Sequence, residues 1–252
     1  MRFLVLPDLH MDECHEKEIV NSVESIIQEE EPDHIFSLGD IITQKNRRDD
    51  KKNARIVSDI FDKHDIDYSV SIGNNERDSE VLDSILNILS QKNRYGEVNG
   101  DIIDFYYIDS TSRSHPFYSI GNEQMDWLRE KTSDNSPFIV LSHNPLAEFD
   151  FSDNYWFPEH PEKVLPFDSK YAIDELRNFN LKGSITAHIH QPKIIDKKEE
   201  LHISLDSFHK TYGGDYLTNT YIIIEEKDSK VEIKTKGNTT KNTNYELFFK
   251  NP

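Results

Sequence analysis

The sequence predicts an α/β protein built from two packed sheets, a mixed first half and a more antiparallel second half, with helices outside. Three observations point there. Apolar strand-like runs alternate with helical patterns as far as His190. Beyond His190 the helical patterns thin out, and short strands joined by polar turns read as hairpins. Five of the apolar runs end in side chains of metal-ligand type, the layout of a site on the carboxyl edge of a sheet.

The elements follow in order. Phe3-Leu4-Val5-Leu6 is a buried strand that leads into Asp8-Leu9-His10. Residues 13–30 place Ile19, Val23, Ile26 and Ile27 on one helical face, and Pro32 lies just past the end. Ile35-Phe36-Ser37-Leu38 is the next strand and runs into Gly39-Asp40. Residues 54–64 form a helix with Ile56, Val57, Ile60 and Phe61 inward. The strand at 68–72 leads into Gly73-Asn74-Asn75-Glu76, and residues 79–90 return as a helix. A strand at 102–108 and a short helix at 123–131 follow, where Met125, Trp127 and Leu128 read as core. Phe138-Ile139-Val140-Leu141 runs into Ser142-His143-Asn144-Pro145, and 172–178 is helical. Ser184-Ile185-Thr186 ends in Ala187-His188-Ile189-His190. Short strands are expected at 193–196, 201–205, 220–226 and 231–235, with an exposed loop at 236–244 before a last apolar patch, Leu247-Phe248-Phe249.

Composition bounds the function. With 252 residues, 35% apolar and 30% charged, the chain is expected to form a single domain over 1–252 with a moderate core, hairpin-rich from residue 191. A net charge of −18 repels nucleic-acid backbones and anionic membranes, which disfavours those partners without forbidding the first. It leaves a phosphate substrate open, because divalent cations reverse the local sign. Pro7 breaks the opening apolar run too early for a signal peptide, and no apolar stretch approaches the ~20 residues of a bilayer span. Cys14 is the sole cysteine, so no intrachain disulfide forms; a cytoplasmic location is the expectation.

Each polar cluster offers suitable donors. Side chains two apart on extended backbone share a side, so Asp8 and His10 leave their strand together. His188 and His190 converge on extended backbone or in a tight turn, and Asp40 offers two oxygens. Carboxylate and imidazole ligands suit zinc, iron or manganese. His15, His34, His64, His160 and His202 match no motif and read as structural or exposed.

Taken together the motifs resemble those of the calcineurin-like metallophosphoesterases: Asp-x-His, Gly-Asp, Gly-Asn-His-(Asp/Glu), His and Gly-His-x-His. Here they stand as Asp8-Leu9-His10, Gly39-Asp40, Gly73-Asn74-Asn75-Glu76, His143 and Ala187-His188-Ile189-His190, spread over residues 1 to about 225. The resemblance implies a four-layer α/β/β/α sandwich of two mixed sheets. It implies two divalent ions (manganese, iron, zinc or nickel), one held by Asp8, His10, Asp40 and His190, the other by Asp40, Asn74, His143 and His188. A hydroxide held between them would attack a phosphodiester or phosphomonoester, a nucleotide among the candidates. A softer match, Tyr107 to Thr111 followed by Gln124-Met125-Asp126-Trp127-Leu128, is similar to the subgroup that includes class III cyclic-nucleotide phosphodiesterases.

Two positions depart from the pattern. Ala187 replaces a glycine, which is minor where φ is negative. Asn75 replaces the histidine that in the family protonates the leaving group or steadies the phosphate; an amide donates a hydrogen bond but no proton. Three explanations stand: a leaving group that needs no acid, a different histidine (His115 or His209), or a weakened metal-binding or protein-interaction module on the same fold. Among substrate contacts, Arg77 is placed to meet a phosphate oxygen, and His209 with Lys210 lies on a second rim at 208–214. The aromatic, proline-broken stretch 145–171, including Phe149, Phe151, Tyr155, Trp156, Phe157 and Phe167, is either a self-packed loop or a lip where a ring stacks on a base, sugar or subunit.

Overall fold

The structure is a computed structural model describing residues 1–112, 118–155, 157, 163–197, 199–211, 214–238 and 242–248. In chain order the first half comprises β1 (Arg2–Leu6), α1 (Glu16–Glu30), β2 (His34–Ser37), α2 (Arg47–Lys63), β3 (Asp67–Val70), α3 (Asn74–Asp78), α4 (Leu82–Ile88), β4 (Gly96–Val98), β5 (Asp104–Ile108) and α5 (Asn122–Lys131). The second half comprises β6 (Phe138–Ser142), α6 (Ser169–Leu176), a 3₁₀ turn (Arg177–Phe179), β7 (Leu181–Thr186), β8 (Lys193–Asp196), β9 (Leu201–Ser204), β10 (His209–Thr211), β11 (Gly214–Leu217), β12 (Tyr221–Lys227), β13 (Lys230–Lys236) and β14 (Thr243–Phe248). They build two six-stranded mixed sheets, ordered β14-β13-β12-β1-β2-β3 and β4-β5-β6-β7-β9-β8, with β10 and β11 as a separate pair.

Alternation along the strands sets the layers. Phe3, Val5 and Phe36 face Phe105, Ile139, Leu141, Ile185 and Ile203 across the space between the sheets. Phe3 and Phe105 are 4.5 Å apart by ring centroids. The other face of the first sheet, Leu4, Leu6 and Ile35, packs on Ile19 and Val23 of α1 and on Val57 and Phe61 of α2. The outer face of the second, Tyr106, Ile108 and Val140, packs on Met125 and Leu128 of α5 and on Ala172 and Leu176 of α6. Central strands covered on both faces must be apolar throughout, which is why they read as unbroken runs. The result is the expected four-layer sandwich.

Several local readings change. The late strands divide between the sheets, with the antiparallel pair β8 and β9 at the edge of the second. β12, β13 and β14 complete the first, with β1 antiparallel to β12 (Phe3 opposite Ile224) and parallel to β2. β1 has an apolar face on each side and two edges to fill, and the late strands fill one of them. The exposed loop expected at 236–244 is shorter, because β14 already begins at Thr243, whose hydroxyl meets that of Thr235 at 2.7 Å. The helix expected at 54–64 starts at Arg47, where Asn46 caps it by accepting from Arg48 N and Asp49 N; its first two turns are charged and carry no apolar period. α3 was hidden inside a ligand motif.

Candidate metal centre

The ligand motifs sit where parallel strands end and their loops zip together. Past β1 and β2, His10 N donates to Asp40 O (2.9 Å) and Met11 N to Ile41 O (2.8 Å). Past β6 and β7, Ala187 N donates to His143 O (2.9 Å). The expected extended backbone is not what aims the side chains. His10 (φ 46°), Asp40 (46°), His188 (69°) and His190 (49°) all lie in the left-handed region, which costs about 1–2 kcal/mol each and turns each chain sharply at the strand end. Ala187 lies outside that region, so the side chain in place of glycine is accommodated there.

Two groups of donor atoms result. In one, His10 Nε2 and His190 Nε2 lie 3.1 Å apart, with His10 Nε2 3.9 Å from Asp40 Oδ2, and Asp8 joins the two histidines. In the other, His143 Nε2 is 3.1 Å from Asn74 Oδ1, 3.1 Å from His188 Nδ1 and 3.6 Å from Asp40 Oδ1. The two oxygens of Asp40 therefore face different groups. The seven expected ligand residues are brought together, and Asp8, grouped with His10 and His190, also stands with Asp40 and His143.

Hydrogen bonds behind the site fix the tautomers. A carbonyl only accepts, so Leu38 O (3.0 Å) holds the proton on His143 Nδ1 and leaves the Nε2 lone pair inward. Burial pushes His143 down to about 3, keeping it neutral. Lys163 O (3.2 Å) likewise takes the His188 Nε2 proton and frees Nδ1.

Three carboxyl groups, Asp8, Asp40 and Glu76, are buried together. Burial and the charge of Asp40 raise Asp8 well above the usual carboxylate range, and burial and Asp40 push Glu76 up to about 8. Asp8 Oδ1 is buried without a hydrogen-bond donor among the described residues. Crowded anionic oxygens facing imidazole lone pairs, one buried oxygen undonated, fit divalent cations of the borderline transition series.

Glu76 anchors this crowding. It is 0% exposed and accepts from Asp40 N (2.8 Å), Gly73 N (3.0 Å) and Ile42 N (3.2 Å), clasping the two ligand loops. Gly73 makes the clasp possible: a Cβ there would stand 2.2 Å from Asp40 Oδ1. Asn75 points at the centre, donating to Asp40 Oδ2 from its amide (2.5 Å) and to Oδ1 from its backbone (2.8 Å), while its own carbonyl accepts from Gln44 N (3.1 Å).

The expected substrate contacts fare differently. Arg77 is partly buried, with Nε donating to Thr111 O (3.1 Å). His209 is fully buried, its ring 4.2 Å from that of His15, so it lines no open rim. Trp156, His115 and His160 lie outside the described residues. Tyr155 is 60% exposed, whereas Phe149 and Phe151 are buried with Val164 and Ile189, so the stretch is partly self-packed. Phe157 and Tyr118 approach His188, with centroids at 5.2 and 5.9 Å. Sequence reasoning missed Tyr118, which belongs to no motif, and the anchoring role of Glu76, which only a view of its three donors reveals.

Comparisons with known proteins agree with this fold. The family model for calcineurin-like phosphoesterases matches residues 1–192. No curated protein matches the chain. Among solved structures, a dimetal phosphatase from Danio rerio is similar over 99% of this chain and 99% of its own, at 14% identity and TM-score 0.73. GAP50, described as the anchor in the inner membrane complex of Plasmodium, is similar over 100% of this chain and 89% of its own, at 14% identity and TM-score 0.68. The phosphopantetheinyl hydrolase of Mycobacterium tuberculosis covers 81% of this chain and 89% of its own, at 11% identity and TM-score 0.50. At these identities the likeness concerns the fold.

Proposed function

The chain belongs to the calcineurin-like phosphoesterases, and from that premise we propose that it is a dinuclear metal-dependent phosphohydrolase, acting on phosphodiesters in preference to monoesters. The observation that carries the reading is Asp40, whose Oδ1 faces His143 Nε2 (3.6 Å) and whose Oδ2 faces His10 Nε2 (3.9 Å). Asp8, His10, Asp40 and His190 would hold one ion, and Asp40, Asn74, His143 and His188 the other. When bound, such a pair neutralises the ester's charge and lowers the pKa of a water to make the nucleophile at neutral pH.

The chain's own residues do the rest. Glu76 and Asn75 hold Asp40 through its backbone N–H and its Oδ2. Leu38 O and Lys163 O keep the His143 and His188 lone pairs inward. Phe157 and Tyr118 cover the His188 side against water. Tyr155, exposed and close to Phe157 in sequence, is the lip residue for a base or sugar ring. We place the enzyme in the cytoplasm as one catalytic unit; no helix among the described residues is long and apolar enough to cross a membrane.

One observation favours a second reading. The Asn75 amide is committed to Asp40 and Gln44, and no proton donor stands at that position. The same fold in an anchor protein fits a metal-binding interaction module with weakened turnover. Metal analysis combined with hydrolysis of bis-p-nitrophenyl phosphate separates the two. Two ions per chain and turnover lost in Asp40→Ala support the enzyme; bound metal without turnover supports the module; no bound metal defeats both.

A further inference from the structure

A second cluster of ligand-type side chains lies apart from the seven residues of the metal centre. Asp12, His15 and His209 each offer one ligand atom, and the three atoms lie within 4.8 Å of one another. Two belong to the loop that enters α1; the third comes from β10, almost two hundred residues later. Asp12 is 6% exposed and His209 0%. Convergence of distant residues on a buried point is what a local turn motif alone does not produce.

The geometry is prearranged. Asp12 Oδ1 accepts from Cys14 N (2.9 Å), His15 N (2.9 Å) and His15 Nδ1 (3.0 Å). Those bonds fix the carboxylate and leave Oδ2 for another partner. They also fix the His15 ring, because a carboxylate only accepts and so holds the proton on Nδ1, leaving the Nε2 lone pair. A histidine oriented by a carboxylate in this way is the usual support for a metal-binding imidazole. His209 is brought up at the start of β10, just after Phe208, whose N donates to Asp8 O (3.0 Å). The His15 and His209 rings are 4.2 Å apart, tilted by 46°. Ligands around a zinc-type ion stand about 2.0–2.2 Å from it. Their mutual separation is then roughly 3–4 Å, within a small side-chain rotation of the present arrangement.

We propose that Asp12, His15 and His209 form a third cation site, mononuclear and separate from the pair, selective for a borderline transition metal such as zinc or cobalt. Two imidazoles and one carboxylate is a set that magnesium and calcium do not favour. An ion there ties the loop carrying Asp8 and His10 to the start of β10. The site is structural, and His15 is its most exposed member.

The test is metal stoichiometry. Full-length protein, stripped with chelator and dialysed against zinc or cobalt, is compared with His15→Ala. His15 is 25% exposed by side chain, so this variant should fold. Wild type should retain one equivalent per chain more than His15→Ala, and in the cobalt form it should show a d–d absorption that the variant lacks. Asp40→Ala, which removes the metal pair, should keep the His15-dependent equivalent, so failure of the proposed hydrolytic centre and failure of this site are read separately. Zinc should raise the melting temperature of Asp40→Ala and not that of Asp40→Ala combined with His15→Ala. Equal stoichiometry with and without His15, or an unchanged cobalt spectrum, would overturn the proposal. His209→Ala, if folded by circular dichroism, should behave as His15→Ala does; retention of the extra equivalent in that folded variant would also overturn it.

Discussion

Replacing Glu76 by alanine should damage stability and metal binding together, and the size follows from its three acceptor contacts. Asp40 N, Gly73 N and Ile42 N, at 2.8, 3.0 and 3.2 Å, lose their Glu76 acceptor in one step. A stranded buried donor costs about 1–3 kcal/mol. The full sum is reduced by water entering the space left. A net loss of about 3–5 kcal/mol is expected, close to the upper range of single substitutions. Glu76→Gln keeps one oxygen and strands fewer donors, so about 1–2 kcal/mol is expected. Because Asp40 sits at φ 46° with its N–H held by Glu76, loss of the clasp should also lower metal affinity by about 10–100-fold, as for other residues that orient ligands. Urea unfolding in chelator gives the first quantity and metal titration the second. An alanine variant as stable as the glutamine variant, with unchanged metal affinity, would show that Glu76 clasps nothing.

Three further outcomes are expected. Asn75→His should raise hydrolysis of esters with alkyl or ribose leaving groups by roughly 10–1,000-fold and change bis-p-nitrophenyl phosphate little, measured as kcat; no change in either, with metals bound, would remove position 75 from proton transfer. Gly73→Ala should abolish metal loading, because its Cβ would stand 2.2 Å from Asp40 Oδ1 and 2.3 Å from Asp40 N; a fully loaded variant would refute the close approach. His34 is held down to about 4 by burial. The unfolded chain therefore binds its proton near 6.5 while the fold excludes it until about 4, so this residue's contribution is full above pH 6.5 and lost as pH falls through that window. The stability advantage of wild type over His34→Gln should shrink by on the order of 2–3 kcal/mol between pH 7 and 4.5 in urea titrations; a constant gap would contradict it.

The strands and the metal ligands were legible because both have short-range signatures. A strand buried on both faces, such as Phe3 to Leu6, is apolar without interruption, and the residues after it carry the chemistry. What stayed hidden depended on long-range pairing. Nothing near Tyr221 announces that it belongs beside β1, and nothing around His209 announces His15. The aim of His10 or His190 comes from left-handed backbone, which histidine adopts only because neighbouring loops hold it there. Asn75 was legible as a departure, but its donation to Asp40 depends on how closely Gly73 lets two loops approach.

The place of β1 between β2 and β12 has a kinetic consequence. Residues 2–5 meet residues 222–225 across the sheet, so the strand leading to Asp8 and His10 is flanked on one side by chain synthesised some two hundred residues later. Closing so long a loop is slow relative to local helix formation, and until it closes β1 presents a bare apolar edge. On the ribosome the second sheet, β4 to β9, can pair internally before β12 emerges, whereas the first sheet waits. Metal capture at the Asp8–His10–His190 end is therefore a late event in biogenesis. A nascent chain arrested before Tyr221 should be aggregation-prone and slow to retain metal, however complete its ligand set.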